Sequence, residues 1–232
     1  MSAGTRRFIA GWLGRARGAR RHTGRAPVLL GLAPFIAVLL LFQPSGGTQK
    51  ASTPDEPVRD SLAGKLLVAS PQLQDPGFAQ TVIYMMTDDA DGAVGLVVNR
   101  PGPEITYAKL FEALGIKPAD VPGKLTVFAG GPVEPERAFL LHTPDVMVAG
   151  SNPLPNGLAV TSDPAMLRSI AEGKGPAKHL LIFGYAGWGP KQLAGEIARG
   201  DWFSIPTDLS LIFADDPAKT WQRAQDRRPT SL

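Results

Sequence analysis

The chain contains no cysteine, which excludes disulfides, thiolate metal sites and cysteine nucleophiles together. Histidine is almost as scarce: His22, His142 and His179 are the only three in 232 residues, too few to build a zinc centre on several imidazoles. Acids are missing from the first 25 residues, which carry seven arginines instead (Arg6, Arg7, Arg15, Arg17, Arg20, Arg21 and Arg25). Subtracting those seven charges from the whole-chain net of +3 leaves −4 for residues 26–232. The isoelectric point near 9.3 is therefore a property of the N-terminal arm. A mildly acidic remainder argues against a broad nucleic-acid-binding face on it.

What is present divides the chain into a basic arm (1–25), an apolar segment (26–42), a linker (43–60) and a domain (61–232). The apolar run APVLLGLAPFIAVLLLF has no charge and the length of a short transmembrane or signal-anchor segment, with Pro27 and Pro34 loosening a helix without forbidding it. Arginines ahead of it would hold the N-terminus inside and export the rest. The same Arg-, Ala-, Gly- and Pro-rich composition is what GC-rich DNA yields when a start site is assigned too far upstream. Both readings stand at this point.

Short β-rich runs occupy residues 65–70, 80–86 and 93–99, the last two joined across the Asp/Gly turn of DDADG as a hairpin. TYAKLFEALG reads as a helix with Thr106 as its cap and Gly115 as its stop. Strand patterns recur at 125–130, 137–143, 157–162 and 179–185, with GPVEPE as a turn. Asp163-Pro164 opens a helix closing on Gly173, KQLAGEIARG forms another, and DPAKTWQRAQDRR an amphipathic one. Strands in runs with helices interspersed predict an α+β fold.

Candidate sites are few. DDADG resembles a calcium loop, but counting from Gly92 puts Val98 where a bidentate acid is required, so a solvated hairpin turn is expected. LFEALGIKPADVPG has helix-turn-helix spacing, yet Phe111 stands where a small residue is needed and Pro122 and Gly123 would break the recognition helix. His142, with Glu134, Glu136 and Asp145 near in sequence, is raw material for acid/base chemistry; a histidine ending an apolar strand is more often a structural one. GYAGWGPKQLAGEIARG reads as strand, glycine-bearing turn YAGWG, then helix, a geometry that aims backbone N–H groups at an anion. The glycine order is not that of a dinucleotide or phosphate loop, and Lys191 is the nearest cation. The competing reading is a tight turn, with Tyr185 and Trp188 packed beneath the helix.

Four segments in order, SPQLQDPGFAQTVIYM, DGAVGLVVNRP, FAGGPVEPERAFLLHT and GYAGWGPKQL, resemble the YqgE/AlgH family of bacterial proteins over about residues 61–213. The resemblance implies a bifurcated, largely antiparallel, partly barrel-like sheet flanked by helices, in the cytoplasm, with no established activity. It also carries a regulatory label for part of the family, transcriptional control of alginate synthesis, without a DNA-binding element. If the N-terminal arm is real, residues 26–42 would instead anchor the domain at the inner membrane. The expected function is a non-enzymatic regulatory or interaction protein with no catalytic residues, metal or cofactor. Its surface for a protein or small-molecule partner comprises Asp75, Pro76, Asn99, Arg100, Pro101, Gly130, Gly131, Pro132, Tyr185, Gly187, Trp188, Gly189 and Lys191. The alternative is an enzyme binding a small molecule or nucleotide phosphate at Gly184–Lys191, with Asp75, Arg137 or His142 assisting.

Overall fold

A computed structural model describes residues 60–116 and 121–229; the basic arm, the apolar segment 26–42 and nearly all of the linker lie outside the described residues. In chain order the elements are β1 (Leu66–Ala69), β2 (Val82–Asp89), β3 (Gly92–Val97), β4 (Pro101–Thr106), α1 (Tyr107–Ala113), β5 (Lys124–Ala129), β6 (Val133–His142), β7 (Asn152–Leu154) and β8 (Leu158–Thr161). There follow α2 (Pro164–Ala171), β9 (His179–Trp188), α3 (Gln192–Ala198), β10 (Trp202–Ile205), α4 (Leu209–Ile212), a 3-10 turn (Pro217–Lys219) and α5 (Thr220–Gln225).

Caps sit where the sequence puts them. Thr106 Oγ1 accepts from the Lys109 N–H and Asp163 from the Ala165 N–H, with Pro164 opening α2. Gly115 and Gly173 take positive φ just past their helices, the conformation that ends a helix at least cost in glycine. The β2–β3 hairpin closes across Asp89 and Gly92 as expected.

The strands form one curled sheet in the order β10-β1-β2-β3-β9-β6-β8-β7, with β4 and β5 branching off beside β9. Pairing is antiparallel except for β5 against β9. β9 makes the fork: β6 runs along one of its edges, while the other edge is shared, Leu181–Phe183 pairing with β5 and Ala186–Trp188 with β3. The architecture is α+β, a bifurcated and mostly antiparallel half-barrel flanked by helices.

Period-two alternation divides the apolar side chains between three cores. Leu66, Val68, Tyr84, Leu96, Leu141 and Ile182 share the inner core with Leu211 and Ile212 of α4. On the opposite face Leu67, Ile83, Val97 and Trp188 pack with Leu193 of α3. Beyond the fork, Leu140, Leu181 and Phe183 pack beneath Leu110 and Phe111 of α1 and Met166 and Leu167 of α2. No helix among the described residues is long and apolar enough to cross a membrane.

Three sequence expectations change. GPVEPE is not a turn, because β6 begins at Val133 and crosses it through a register shift before Ala138, with Glu134 at φ 45°. YAGWG is not a turn either: β9 continues to Trp188, and the chain turns only over Gly189–Lys191. β4, β7 and β10 are strands that the sequence reading does not anticipate.

Candidate functional site

The glycines of the motifs meet at the fork. A Cβ on Gly131 would lie 2.2 Å from the Tyr185 carbonyl carbon and 2.4 Å from the Ala186 nitrogen. One on Gly130 would lie 2.3 Å from the Gly184 carbonyl oxygen, and one on Gly184 2.6 Å from that of Gly131. Backbones that close leave no room for any side chain. The Gly130 N–H donates to the Phe183 carbonyl and its own carbonyl accepts from Val97, so this single residue ties both branches to β9. Gly184, at φ 73°, supplies the register shift opposite β6.

Gly187 and Gly189 differ. Both are exposed; a Cβ on Gly187 would meet the Tyr185 ring at 3.4 Å, and one on Gly189 only Gln192 Oε1 at 3.9 Å. The Gly189 N–H donates to that same Gln192 Oε1 at 3.1 Å. Neither the phosphate-facing turn nor the plain tight turn forms at YAGWG, which is strand, and Lys191, at φ 62°, occupies the cap position of α3 without a side-chain capping bond.

Tyr185 and Trp188 point to opposite faces. Tyr185 meets Phe139 edge-on at 6.1 Å and packs on the inner core, not beneath α3; burial and the charge of Glu134 push its phenol pKa up, against an opposing effect of Arg137. Trp188 does lie beneath α3. Its Nε1–H donates to Glu196 Oε2 at 2.9 Å, and Trp202 donates to the same oxygen at the same distance. Gln192 supplies a bond to the other oxygen, Oε1, at 3.0 Å. One carboxylate therefore fastens α3 to two strands. Phe78 completes the aromatic group, stacked 6.3 Å from Trp188 and edge-on 5.7 Å from Trp202.

Phe78 belongs to the loop between β1 and β2, and this loop is held at two further places. Asn99, buried, accepts from the Val82 N–H at 2.8 Å and donates to the Gln80 carbonyl at 2.9 Å. Arg100 donates from Nη2 to the Ala79 carbonyl at 2.9 Å and to the Pro76 carbonyl at 3.4 Å. Burial lowers the Arg100 pKa, partly offset by the negative charge of Asp75. Asp75 itself turns the loop, Oδ1 accepting from Gly77 at 2.7 Å and its carbonyl from Phe78 and Ala79. Gln72, Gln74, Asp75, Pro76 and Gly77 nonetheless remain exposed, as does Pro101 beside Arg100.

Seven of the thirteen expected surface residues fall into two groups. Asp75, Pro76, Asn99 and Arg100 come together with Phe78 as a pinned loop; Gly130, Gly131 and Tyr185 build the fork. Pro101, Pro132, Gly187, Gly189 and Lys191 are exposed, and Trp188 links the fork to the loop. The sequence reading misses Glu196 and Trp202. The run WFSI, rich in β-formers, is the signal that could have found the second.

His142 is fully buried, its Nδ1 2.8 Å from the Thr143 carbonyl oxygen and its Nε2 sealed without a hydrogen-bond partner among the described residues. It has no route to a substrate. No group of three or more His, Asp or Glu side chains that could hold a metal occurs among the described residues.

A family model described as DUF179, AlgH-like, matches residues 66–231. A UPF0301 protein of Methylococcus capsulatus is 43% identical over 162 residues, covering 70% of this chain and 88% of its own. One from Cereibacter sphaeroides is 38% identical over 161 residues, covering 69% and 88%. The solution structure of the AlgH protein of Pseudomonas aeruginosa matches with a TM-score of 0.61 at 33% identity, over 79% of this chain and 95% of that one. The crystal structure of a Corynebacterium diphtheriae protein shares the fold at 24% identity, with a TM-score of 0.56.

Proposed function

The chain belongs to the AlgH-like family, and from that premise we propose that it is a non-enzymatic interaction protein of regulatory type, presenting residues 72–77 and Pro101 to a protein partner. The observation that carries this reading is the pinned loop. A half-buried guanidinium, a buried amide and an aromatic ring are all committed to fixing a segment whose side chains, Leu73 apart, face water. Exposed loops held rigid by interior anchors bind without the ordering cost that a mobile loop incurs.

Gln74, Asp75 and Pro76 offer an amide that donates and accepts hydrogen bonds, a negative charge and a flat apolar ring side by side. That mixture suits the polar, partly wet contact surface of a protein complex. The inner-membrane and cytoplasmic alternatives concern residues 26–42 and do not alter this surface.

The test is chemical cross-linking in cells of the native host, then titration of the purified partner against the full-length chain. Replacing Gln72 and Gln74 together with alanine is expected to weaken binding about tenfold or more without moving the melting temperature. A partner whose affinity ignores this double substitution, or a saturable turnover of any small molecule, would overturn the reading.

A further inference from the structure

His142 ends β6, and the segment that follows it, residues 143–151, returns across the same face of the sheet. Side chains alternate along a strand, so His142 points with Leu140, and its cross-strand partner His179 with Leu181, into the third core. β8 pairs on the other edge of β6, with Ala159 opposite His142. Over these residues the segment is tied at three places. The Thr143 N–H donates to the Lys178 carbonyl at 3.0 Å, Asp145 Oδ2 accepts from the Ala177 N–H at 2.8 Å, and the Gly150 carbonyl accepts from Thr161 Oγ1 at 3.0 Å. Between the ties, Val146 and Val148 pack onto the third core. From this arrangement we infer that residues 143–151 are an acid-released strap, closed over His142 at neutral pH and lifted when proton uptake by the uncovered imidazole favours the open form.

The proton has one place to go. His142 is fully buried, and its Nδ1 lies 2.8 Å from the Thr143 carbonyl oxygen. That contact places the ring proton on Nδ1 and leaves Nε2 as an acceptor sealed from water. Lifting the strap uncovers this atom, and a solvated imidazole takes up a proton near pH ~6.5. Linkage then fixes the sign. The open form binds a proton at an atom that water does not reach in the closed form, so opening gains as pH falls below ~6.5 and is unchanged above it. Release carries Val146 and Val148 into water beside Met147, which is exposed already.

The other charges around the ring either add to this response or oppose it. Burial lowers the His179 pKa, against a bond to the Pro176 carbonyl and with a lesser push from His142, so His179 adds in the same direction. Hydrogen bonds from Thr143 and Ala177 hold the Asp145 carboxyl below the usual carboxylate range, with a weaker pull from His142. It stays ionised at pH ~5.5, and its charge favours an imidazolium in the closed form, which opposes release. On α2, the Arg168 guanidinium lies over the Phe111 ring at 5.8 Å. Glu172, just past that helix, pairs with Lys174 at 3.0 Å. Ala159 and Thr161 of β8 carry no charge.

The experiment is amide hydrogen exchange of the full-length protein at about pH 7.5 and 5.5, read by mass spectrometry and corrected for the chemical exchange rate. One imidazole titrating near ~6.5 in the open form raises the opening constant about tenfold across that interval. Exchange in residues 143–151 is expected to rise by about that factor or more, and to stay faster than exchange in β2 and β3 at both pH values. Dilute urea, which promotes unfolding in proportion to the surface exposed, should speed β2 and β3 but barely affect the strap, marking its opening as local. His142→Gln should cut the acid-to-neutral ratio of the strap about tenfold, whatever it does to the rates themselves, and His179→Gln should leave about tenfold of it. Asp145→Asn, which keeps an acceptor for the Ala177 N–H, should open in acid at least as readily as the parent. No acid rise in the parent strap, a urea dependence equal to that of β2 and β3, or a ratio unchanged in His142→Gln would each overturn the inference.

Discussion

Adding one methyl group at the fork tests whether the motif glycines are architecture. In Gly131→Ala the new Cβ would lie 2.2–2.4 Å from three backbone atoms of Tyr185 and Ala186, and the residue holds φ 150°. Overpacking a core costs about 1–3 kcal/mol when side chains can yield. Here the obstacle is the backbone of β9, paired on both edges, so the cost is set at ~3 kcal/mol or above. For a domain of this length each kcal/mol lowers the melting temperature by about 2–4 °C, which predicts a fall of about 6–12 °C by calorimetry or circular dichroism. Gly187→Ala and Gly189→Ala are the controls: their Cβ atoms find ordinary contact or open space, so each should stay within about 0.5 kcal/mol of the parent. A Gly131→Ala protein melting within about 2 °C of the parent, or a Gly187→Ala protein equally damaged, would refute the reasoning.

Two further outcomes are expected. Glu196→Ala strands the indole donors of Trp188 and Trp202 and should cost about 2 kcal/mol with loss of near-ultraviolet tryptophan dichroism, while Glu196→Gln, which keeps an acceptor oxygen, should recover part of both. Burial, with a smaller push from His142 and an opposing hydrogen bond to the Pro176 carbonyl, depresses the His179 pKa. The unfolded chain then takes up a proton near pH ~6.5 that the folded one resists. This contribution to stability is complete above that pH and is lost as pH falls through it toward the lower folded value. Urea unfolding at about pH 7.5 and 5.5 should show the loss, and His179→Gln should flatten it.

Local chemistry was legible in the sequence where its partner is also local. Thr106, Asp163, Gly115 and Gly173 act within a turn of their own helices, and the β2–β3 hairpin closes across two residues. The unanticipated elements all depend on distant partners. β4 carries Pro101 and Pro103 and reads as loop, yet among the described residues it pairs with β5 alone, and an edge strand tolerates proline because one row of N–H groups needs no partner. Glycine is the sharpest case. Gly187 and Gly131 look alike in sequence, but one faces water and the other a backbone more than fifty residues away in the chain. The YqgE/AlgH resemblance supplied the bifurcated sheet that periodicity could not, since a fork is a relation among β3, β5 and β9 rather than a pattern within any of them. Asp75 and Arg100 read as surface residues from their sequence context; that Arg100 braces the loop from within follows only from the fold.

The shared edge of β9 also dictates an order of events during synthesis. β3 and β5 are both made long before the strand that completes them, and β1 waits longer still for β10, the pairing of Leu66 with Ile205 spanning most of the domain. Contacts so distant along the chain are slow to form. A ribosome that stalls before residue 179 releases a product in which β1, β3, β5 and β6 each lack a pairing partner, the kind of template on which chains add to one another. The strand that closes the half-barrel is thus also the checkpoint that separates a finished molecule from an aggregation-prone fragment.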